Sequence, residues 1–401
     1  MADRILIAGA GIGGLAAALA LAEGGAHVTV FEAQDTLSES GAGLQLSANA
    51  VKALRSLGLE NAVAAKASRP EAVELRLPHS GRLVSRVTLG ARHEKLFGAP
   101  YFHVHRADLL DVLAAAADAH PGVQVMTGAR VARVTHARNQ VGVELVGGAE
   151  TGGDILIGAD GIRSVVREGV AGKDDPVFTG MMAWRACVPL VEGEGVPPVA
   201  TVWMGRGRHL VTYPLAARGA MNLIGVVERG DWAEESWTAP GTPDAMRADF
   251  GGWHKSIDAL LERVTTPWRW ALYERKPLSV WSAGRVALLG DACHAMPPFL
   301  AQGAAMALED AVVLARCLKA RPDDVNDALR DYGEARHDRT AQMQAASWSN
   351  AWRFHLESGV LRTLVYGALG IASRIAPNQP GKMFDWVYAY DPAVLDPARG
   401  S

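Results

Sequence analysis

The tightest constraint in the sequence is Gly9-Ala10-Gly11-Ile12-Gly13-Gly14, set between the apolar run Arg4 to Ala8 and the alanine-rich stretch Leu15 to Glu23. A β-branched run, His27 to Glu32, follows. Strand, glycine turn, helix and strand make one β-α-β unit of a parallel sheet. In a G-x-G-x-x-G turn, Gly9 permits the tight bend and Gly11 lets the backbone approach a pyrophosphate. Gly14 lets the helix pack on the strand. Glu32, 21 residues after Gly11, ends the second strand, where a carboxylate can accept hydrogen bonds from an adenosine ribose. Glycine turns also arise for packing alone, and the fingerprint does not choose between NAD and FAD.

Ile5 to Ala22 is also 18 nearly uncharged residues, long enough to suggest a membrane span or signal peptide. Four glycines interrupt it, no basic segment precedes it, and Glu23 follows at once, so the β-α reading is preferred. No other stretch is long and apolar enough to span a bilayer. Forty basic side chains balance forty-three acidic ones, which leaves no global field for nucleic acid or anionic lipid. Cys187, Cys293 and Cys317 lie far apart with no pairing or metal-ligand spacing, which fits a reducing, cytoplasmic setting.

The length calls for two or three domains. Residues 1–180 read as the first part of an α/β dinucleotide-binding domain, with a short excursion near 70–100. A helix is expected over Leu109 to His120. Strands are expected at Val123–Met126, Val131–Thr135, Gly142–Leu145 and Asp154–Ala159. Between 181 and 280 the texture becomes alternating and β-branched, as in Ala200–Met204, His209–Tyr213 and Met221–Val227. Eight of the eleven tryptophans fall between Trp184 and Trp281, so this region reads as an inserted, mixed-sheet unit. Residues 281–330 return to the first domain with a buried strand, Arg285 to Leu289, and a long helix, Ala304 to Leu318. Residues 331–401 read as a helical C-terminal segment.

Two later motifs decide between the cofactors. Gly158-Ala159-Asp160-Gly161-Ile162-Arg163-Ser164 ends one buried strand, and Gly284 through Gly290-Asp291-Ala292-Cys293-His294 ends another. With the fingerprint, and in this order, they make the chain resemble the class A flavoprotein monooxygenases of the para-hydroxybenzoate hydroxylase fold. It is most similar to the branch of salicylate hydroxylase, 3-hydroxybenzoate 6-hydroxylase and 6-hydroxynicotinate 3-monooxygenase, over nearly its whole length. The resemblance implies FAD as cofactor and NADH or NADPH as co-substrate. It assigns Asp291 to the ribityl chain and Asp160 to a motif shared by flavin and NAD(P)H handling. The turn Gly41-Ala42-Gly43-Leu44-Gln45-Leu46 is similar to the loop beside the flavin. Arg106 matches an arginine near the FAD phosphates and ribityl chain, and Val131 falls where a strand backbone meets the adenine. In Met296-Pro297-Pro298-Phe299-Leu300-Ala301-Gln302-Gly303-Ala304, a helix start at Gly303 and Ala304 would set N–H groups against the flavin pyrimidine edge. Relatives usually carry Asn at the position of Ala305 and Ala at that of Cys293.

On the substrate side, period-2 geometry puts His209, Val211 and Tyr213 on one strand face, over a span of ~13 Å between the outer Cα atoms. The segment is similar to the pocket strand of the same branch, in which the matching histidine is proposed to deprotonate a phenol. A histidine satisfied inside a sheet and a core tyrosine are the structural alternatives for His209 and Tyr213. Relatives often carry His at the position of Thr212. The resemblance places Gln302 between flavin and ligand. Arg339, Gln344, Ser347, Asn350 and His355 resemble a long helix of the branch, and their spacing equally suits a solvated or dimer-contact face. Arg185 and Arg208 are available to meet a carboxylate.

The expected activity is hydroxylation of a phenolic aromatic or heteroaromatic acid with NAD(P)H and O₂ through a flavin C4a-hydroperoxide. The alternatives are a tailoring monooxygenase acting on a larger natural product and a flavoprotein oxidoreductase that inserts no oxygen. The resemblance also suggests a homodimer.

Overall fold

The computed structural model describes residues 3–37, 42–137, 140–191, 193, 195–230, 239–376 and 379–394. Gly41, at the head of the expected flavin-side turn, lies outside the described residues.

Short runs with apolar side chains on both faces form a six-stranded sheet. Its order is Ser282–Ala283, Val286–Leu288, Ile155–Gly158, Arg4–Ala8, His27–Phe31 and Val123–Met126. All neighbours are parallel except the first pair. Strands such as Ile5–Ala8 are buried completely because helices cover the sheet, which is why they read as continuous apolar runs. Helices Ile12–Ala22, Arg106–Ala119 and Gly303–Ala320 share one core with these strands. A three-stranded sheet, Val131–Ala137, Gln140–Leu145 and Glu150–Gly153, adjoins them.

The second sheet has eight strands. In order they are Ala239–Pro240, Trp268–Glu274, Val177–Pro189, Ala220–Glu228, Arg208–Leu215, Val199–Met204, Ala72–Arg76 and Leu83–Thr88. The excursion near 70–100 thus supplies two edge strands, and only Val199–Met204 with Ala72–Arg76 is parallel. Alternation assigns the two faces. Met182, Trp184, Leu210 and Leu223 pack against helices Pro243–Phe250 and Lys255–Glu262. The opposite face carries His209, Val211 and Tyr213, paired across the ladder with Val226, Ile224 and Asn222. Arg185 lies opposite Ile224 on the next strand and joins that face.

The chain finishes in helices, Val325–Phe354 and Gly359–Ile375 being the longest. Among the described residues, no helix is long and apolar enough to cross a membrane.

Candidate active site

The glycine turn combines two close approaches with one open space. Gly9 has φ of 98°, and a Cβ on Gly14 would collide with the Gly9 carbonyl, so only glycine lets helix Ile12–Ala22 sit this close to its strand. A Cβ on Gly13 would come within 2.6 Å of Leu289 Cδ2. At Gly11 a Cβ would meet nothing. The helix behind Gly11 has neither a side-chain cap nor an acidic residue in its first turn. Its N–H groups therefore face an open space suited to an anion. Glu32 stands beside it, accepting from the Ala10 N–H at 2.8 Å and the Gln34 N–H at 2.9 Å. The Glu32 carbonyl accepts from Ala129 at 2.8 Å, and Val131 begins its strand two residues later. Asp160 holds the start of helix Val165–Ala171 through Oδ2, which accepts from Val165 at 2.8 Å. Its Oδ1 is buried without a hydrogen-bond partner among the described residues, and burial pushes the carboxyl above its ordinary range.

A cavity of about 220 Å³ separates this half of the molecule from the eight-stranded sheet. His209, Val211, Tyr213 and Arg185 form the sheet side, and Gly43, Arg106, Asp291, Gly303 and Ala304 bound the other. Thr212 points to the opposite face, where its Oγ1 accepts from Trp203 Nε1 at 3.2 Å. Arg208 is not on the cavity wall.

Gly43 is fixed by Asn222, whose Oδ1 accepts its N–H at 2.8 Å, and a Cβ there would strike the Tyr213 ring. Ala301 takes the left-handed φ of 54°, rare for a residue with a Cβ, and bends the Pro298–Leu300 turn into the next helix. The N-terminus of Gly303–Ala320 consequently opens on the cavity, again uncapped by a side chain and with room for a Cβ at Gly303.

His209 is buried, and its Nδ1 lies 2.6 Å from Nε2 of His355. Its own Nε2 makes no hydrogen bond to a described residue. Burial, then His355, pushes the imidazole well below its usual range, so the ring is neutral at neutral pH. Burial drives the Tyr213 phenol well up, which keeps it protonated. Arg185 stacks over Trp270 at 4.1 Å, and burial together with Arg106 lowers its guanidinium to about 10.

Gln302 departs from expectation. Its carboxamide bonds to Asn49 and Ser47, each at 3.0 Å, and does not reach the cavity wall. The left-handed turn at Ala301 sends that side chain backward, so the wall is formed by Ala301 and Gly303 instead. The polar residues of the C-terminal helix are not a solvated face. Gln344, Ser347 and Asn350 are buried and donate to the carbonyls of Ala295, Pro297 and Phe299, which hold the loop on the cavity rim. Asn49, Asn222 and Glu228 escaped sequence reasoning, and His355 stood only among the polar helix residues, without a role. The helical signal was available in Ala351 and Phe354, which share the face of Gln344 and Ser347 at core-type spacing.

Comparison with known proteins agrees with this geometry. Residues 3–347 match the FAD-binding domain family. The chain belongs to that family. It is 38% identical to 3-amino-4-hydroxybenzoate 2-monooxygenase of Streptomyces cremeus, over 89% of either chain. It is 36% identical to 6-hydroxynicotinate 3-monooxygenase of Pseudomonas fluorescens, over 87% of this chain and 91% of that one. A salicylate hydroxylase substrate complex superposes with a TM-score of 0.80 at 27% identity, covering 98% of this chain and 96% of that one. The protein is an FAD-dependent monooxygenase. The residues present fit that cofactor. The open space ahead of Gly11 suits the pyrophosphate, Glu32 adjoins it, and Asp291 and Arg106 stand where the cavity runs on to the uncapped helix at Gly303.

Proposed function

We propose that this monooxygenase hydroxylates a monocyclic phenolic aromatic or heteroaromatic acid, using O₂ and NADH or NADPH. FAD, when bound, supplies the electron transfer and oxygen activation. Asp291, Arg106, Gly43 and the Gly303–Ala304 backbone would hold it along the cavity, with Glu32, Val131 and the glycine turn at its adenosine and pyrophosphate end.

His209 accepts the phenol proton at Nε2, the ring nitrogen without a hydrogen bond to a described residue. Removing that proton raises electron density at the ortho and para carbons, where an electrophilic oxygen enters. Tyr213, a neutral phenol on the same face, orients the ring. Arg185 supplies a buried cation for the carboxylate. Val211, Ile224, Val226 and Leu272 keep water from the reacting carbon.

The observation that carries the reading is the placing of a neutral imidazole and a guanidinium on one sheet face, across one cavity from Gly43 and the Gly303 helix start. The test mixes the FAD-loaded protein anaerobically with NADH or NADPH and a panel of phenolic acids, matched uncharged phenols and polycyclic phenols. Acceleration of flavin bleaching by a phenolic acid, followed by one ¹⁸O atom in the product once ¹⁸O₂ is admitted to the reduced mixture, is the expected result. Acceleration by polycyclic phenols alone would replace it with the larger-substrate reading.

A further inference from the structure

Behind the base lies a chain of titratable groups that leads out of the cavity. His209 Nδ1 is 2.6 Å from His355 Nε2, and His355 Nδ1 is 2.8 Å from Glu228 Oε1. Both imidazoles are buried, whereas the Glu228 carboxylate is 41% exposed. Three separate elements bring them together. His209 and Glu228 sit on neighbouring strands, and His355 caps the end of helix Val325–Phe354. Phe299 and Phe354 pack against the His209 ring at 5.7 and 5.2 Å, and Phe299 also meets His355 at 6.1 Å. The two rings are thus sleeved in apolar surface, with the carboxylate at the outer end.

The chemistry of this chain has a direction. A carboxylate only accepts, so His355 must present Nδ1–H to Glu228. In the neutral ring its Nε2 is then an acceptor, which draws the proton of His209 onto Nδ1. That leaves the lone pair of His209, a residue of the cavity wall, on Nε2.

We infer that His209, His355 and Glu228 form a proton relay, which sets the tautomer of the base and carries the substrate proton from the cavity to solvent. This rests on the proposed role of His209. In the transfer, the phenol O–H bond breaks as a bond to His209 Nε2 forms. The Nδ1 proton of His209 passes to His355 Nε2, and the Nδ1 proton of His355 passes to Glu228. Glu228 then releases it to water. The same steps in reverse, with a proton taken up by Glu228 and one given from His209 Nε2 to the product oxygen, restore both starting tautomers with no net change in the protein. Burial disfavours a resident positive charge on either ring, which suits through-transfer better than storage. His355 and Glu228 act through His209 and are positioning residues.

The relay is tested first without substrate. In FAD-loaded protein labelled with ¹⁵N-histidine, His209 and His355 are each expected to carry their proton on Nδ1. A proton on Nε2 of His209 overturns the proposal. Turnover is then measured with the phenolic acid that best accelerates flavin bleaching. Glu228→Gln, at the exposed end, and His355→Gln are expected to lower kcat about tenfold or more at unchanged KM, with an altered solvent isotope effect. Formate is expected to restore part of the loss in Glu228→Ala. Parental kcat and isotope effect in both Gln variants, with His209→Asn inactive, would remove the relay and leave the base in place. Parental activity in His209→Asn would remove the base assignment and the relay with it.

Discussion

Arg336 and Glu309 form an ion pair at 2.6 Å in which neither side chain is exposed to solvent. Arg336 also reaches Asp310 at 2.7 Å, Arg339 reaches Glu309 at 2.8 Å, and His294 meets Asp310 at 2.6 Å. The network ties the C-terminal helix to helix Gly303–Ala320, whose first turn opens on the cavity. Burial alone would raise both carboxyls. Arg339 and Arg336 outweigh it at Glu309, His294 and Arg336 outweigh it at Asp310, and both end below their ordinary ranges.

Breaking this pair strands a buried charge. Arg336→Met is therefore expected to lower stability by about 3–5 kcal/mol, measured by urea unfolding at pH 7. Carboxyls depressed in the folded state stabilise above their unfolded values and lose that contribution as pH falls through the folded ones. The gap between variant and parent should accordingly narrow below about pH 4. A gap that stays constant into acid would mean that the loss is one of packing.

Gly11 and Gly14 separate cofactor binding from folding. Gly14→Ala places a Cβ on the Gly9 carbonyl and is expected to yield little folded protein. Gly11→Ala meets no atom of a described residue within 4 Å, and should change apo stability by less than about 1 kcal/mol. The added methyl enters the space before the helix, so FAD affinity should fall about tenfold or more, read by flavin fluorescence titration. Unchanged affinity in Gly11→Ala would move the pyrophosphate elsewhere.

Much of this architecture was legible because local rules and the fold agree. The Gly9–Gly14 turn, the strand ending at Gly158 and the strand face of His209, Val211 and Tyr213 each follow from spacing alone. Gln302 turns its carboxamide to Asn49 and Ser47 just after the left-handed Ala301, a conformation that the residue type does not announce. The contacts of His355 were illegible for another reason. Its partners His209 and Glu228 are 146 and 127 residues away in sequence, and sheet register together with the packing of the helix end brings the three together. The polar residues from Gln344 to Asn350 suited a solvated or dimer-contact face equally, because their partners are backbone carbonyls; only Ala351 and Phe354 on the same face marked it as buried.

His103 should make the fold acid-sensitive. It is buried behind Tyr213, with ring centroids 4.4 Å apart, and neither of its nitrogens has a hydrogen-bond partner among the described residues. Burial pushes it down to about 3. The folded state keeps the ring neutral while the unfolded chain takes up a proton near pH 6.5. This site alone therefore lowers stability by about 1.4 kcal/mol per unit as pH falls below that value. His103→Phe removes an orphaned donor and acceptor together and should be nearly neutral at pH 7.5. Between pH 6 and 5, unfolding free energies of the variant should fall less steeply than those of the parent. Equal slopes would place the acid sensitivity in other groups, such as His93, pushed down to about 4 by burial and by Lys52.

Arg185 should separate acids from neutral phenols. Its guanidinium lies on the cavity wall beside Arg106, and its lowered value of about 10 leaves it charged at pH 8. Two cations near one cavity favour an anion there, and a charge-assisted hydrogen bond contributes about 1.5–3 kcal/mol. Arg185→Met preserves apolar contact with Trp270 and removes the charge. KM for a phenolic acid should then rise about ten- to hundredfold, while the matched phenol without a carboxylate is unaffected. Arg185→Lys should recover only part of the loss, because an ammonium cannot present the planar fork to a carboxylate. In the parent enzyme, KM for the acid should stay level between about pH 7 and 9, because the guanidinium keeps its charge there. If both substrates weaken equally in Arg185→Met, the arginine shapes the wall without reading charge, and the carboxylate must be met elsewhere in the cavity.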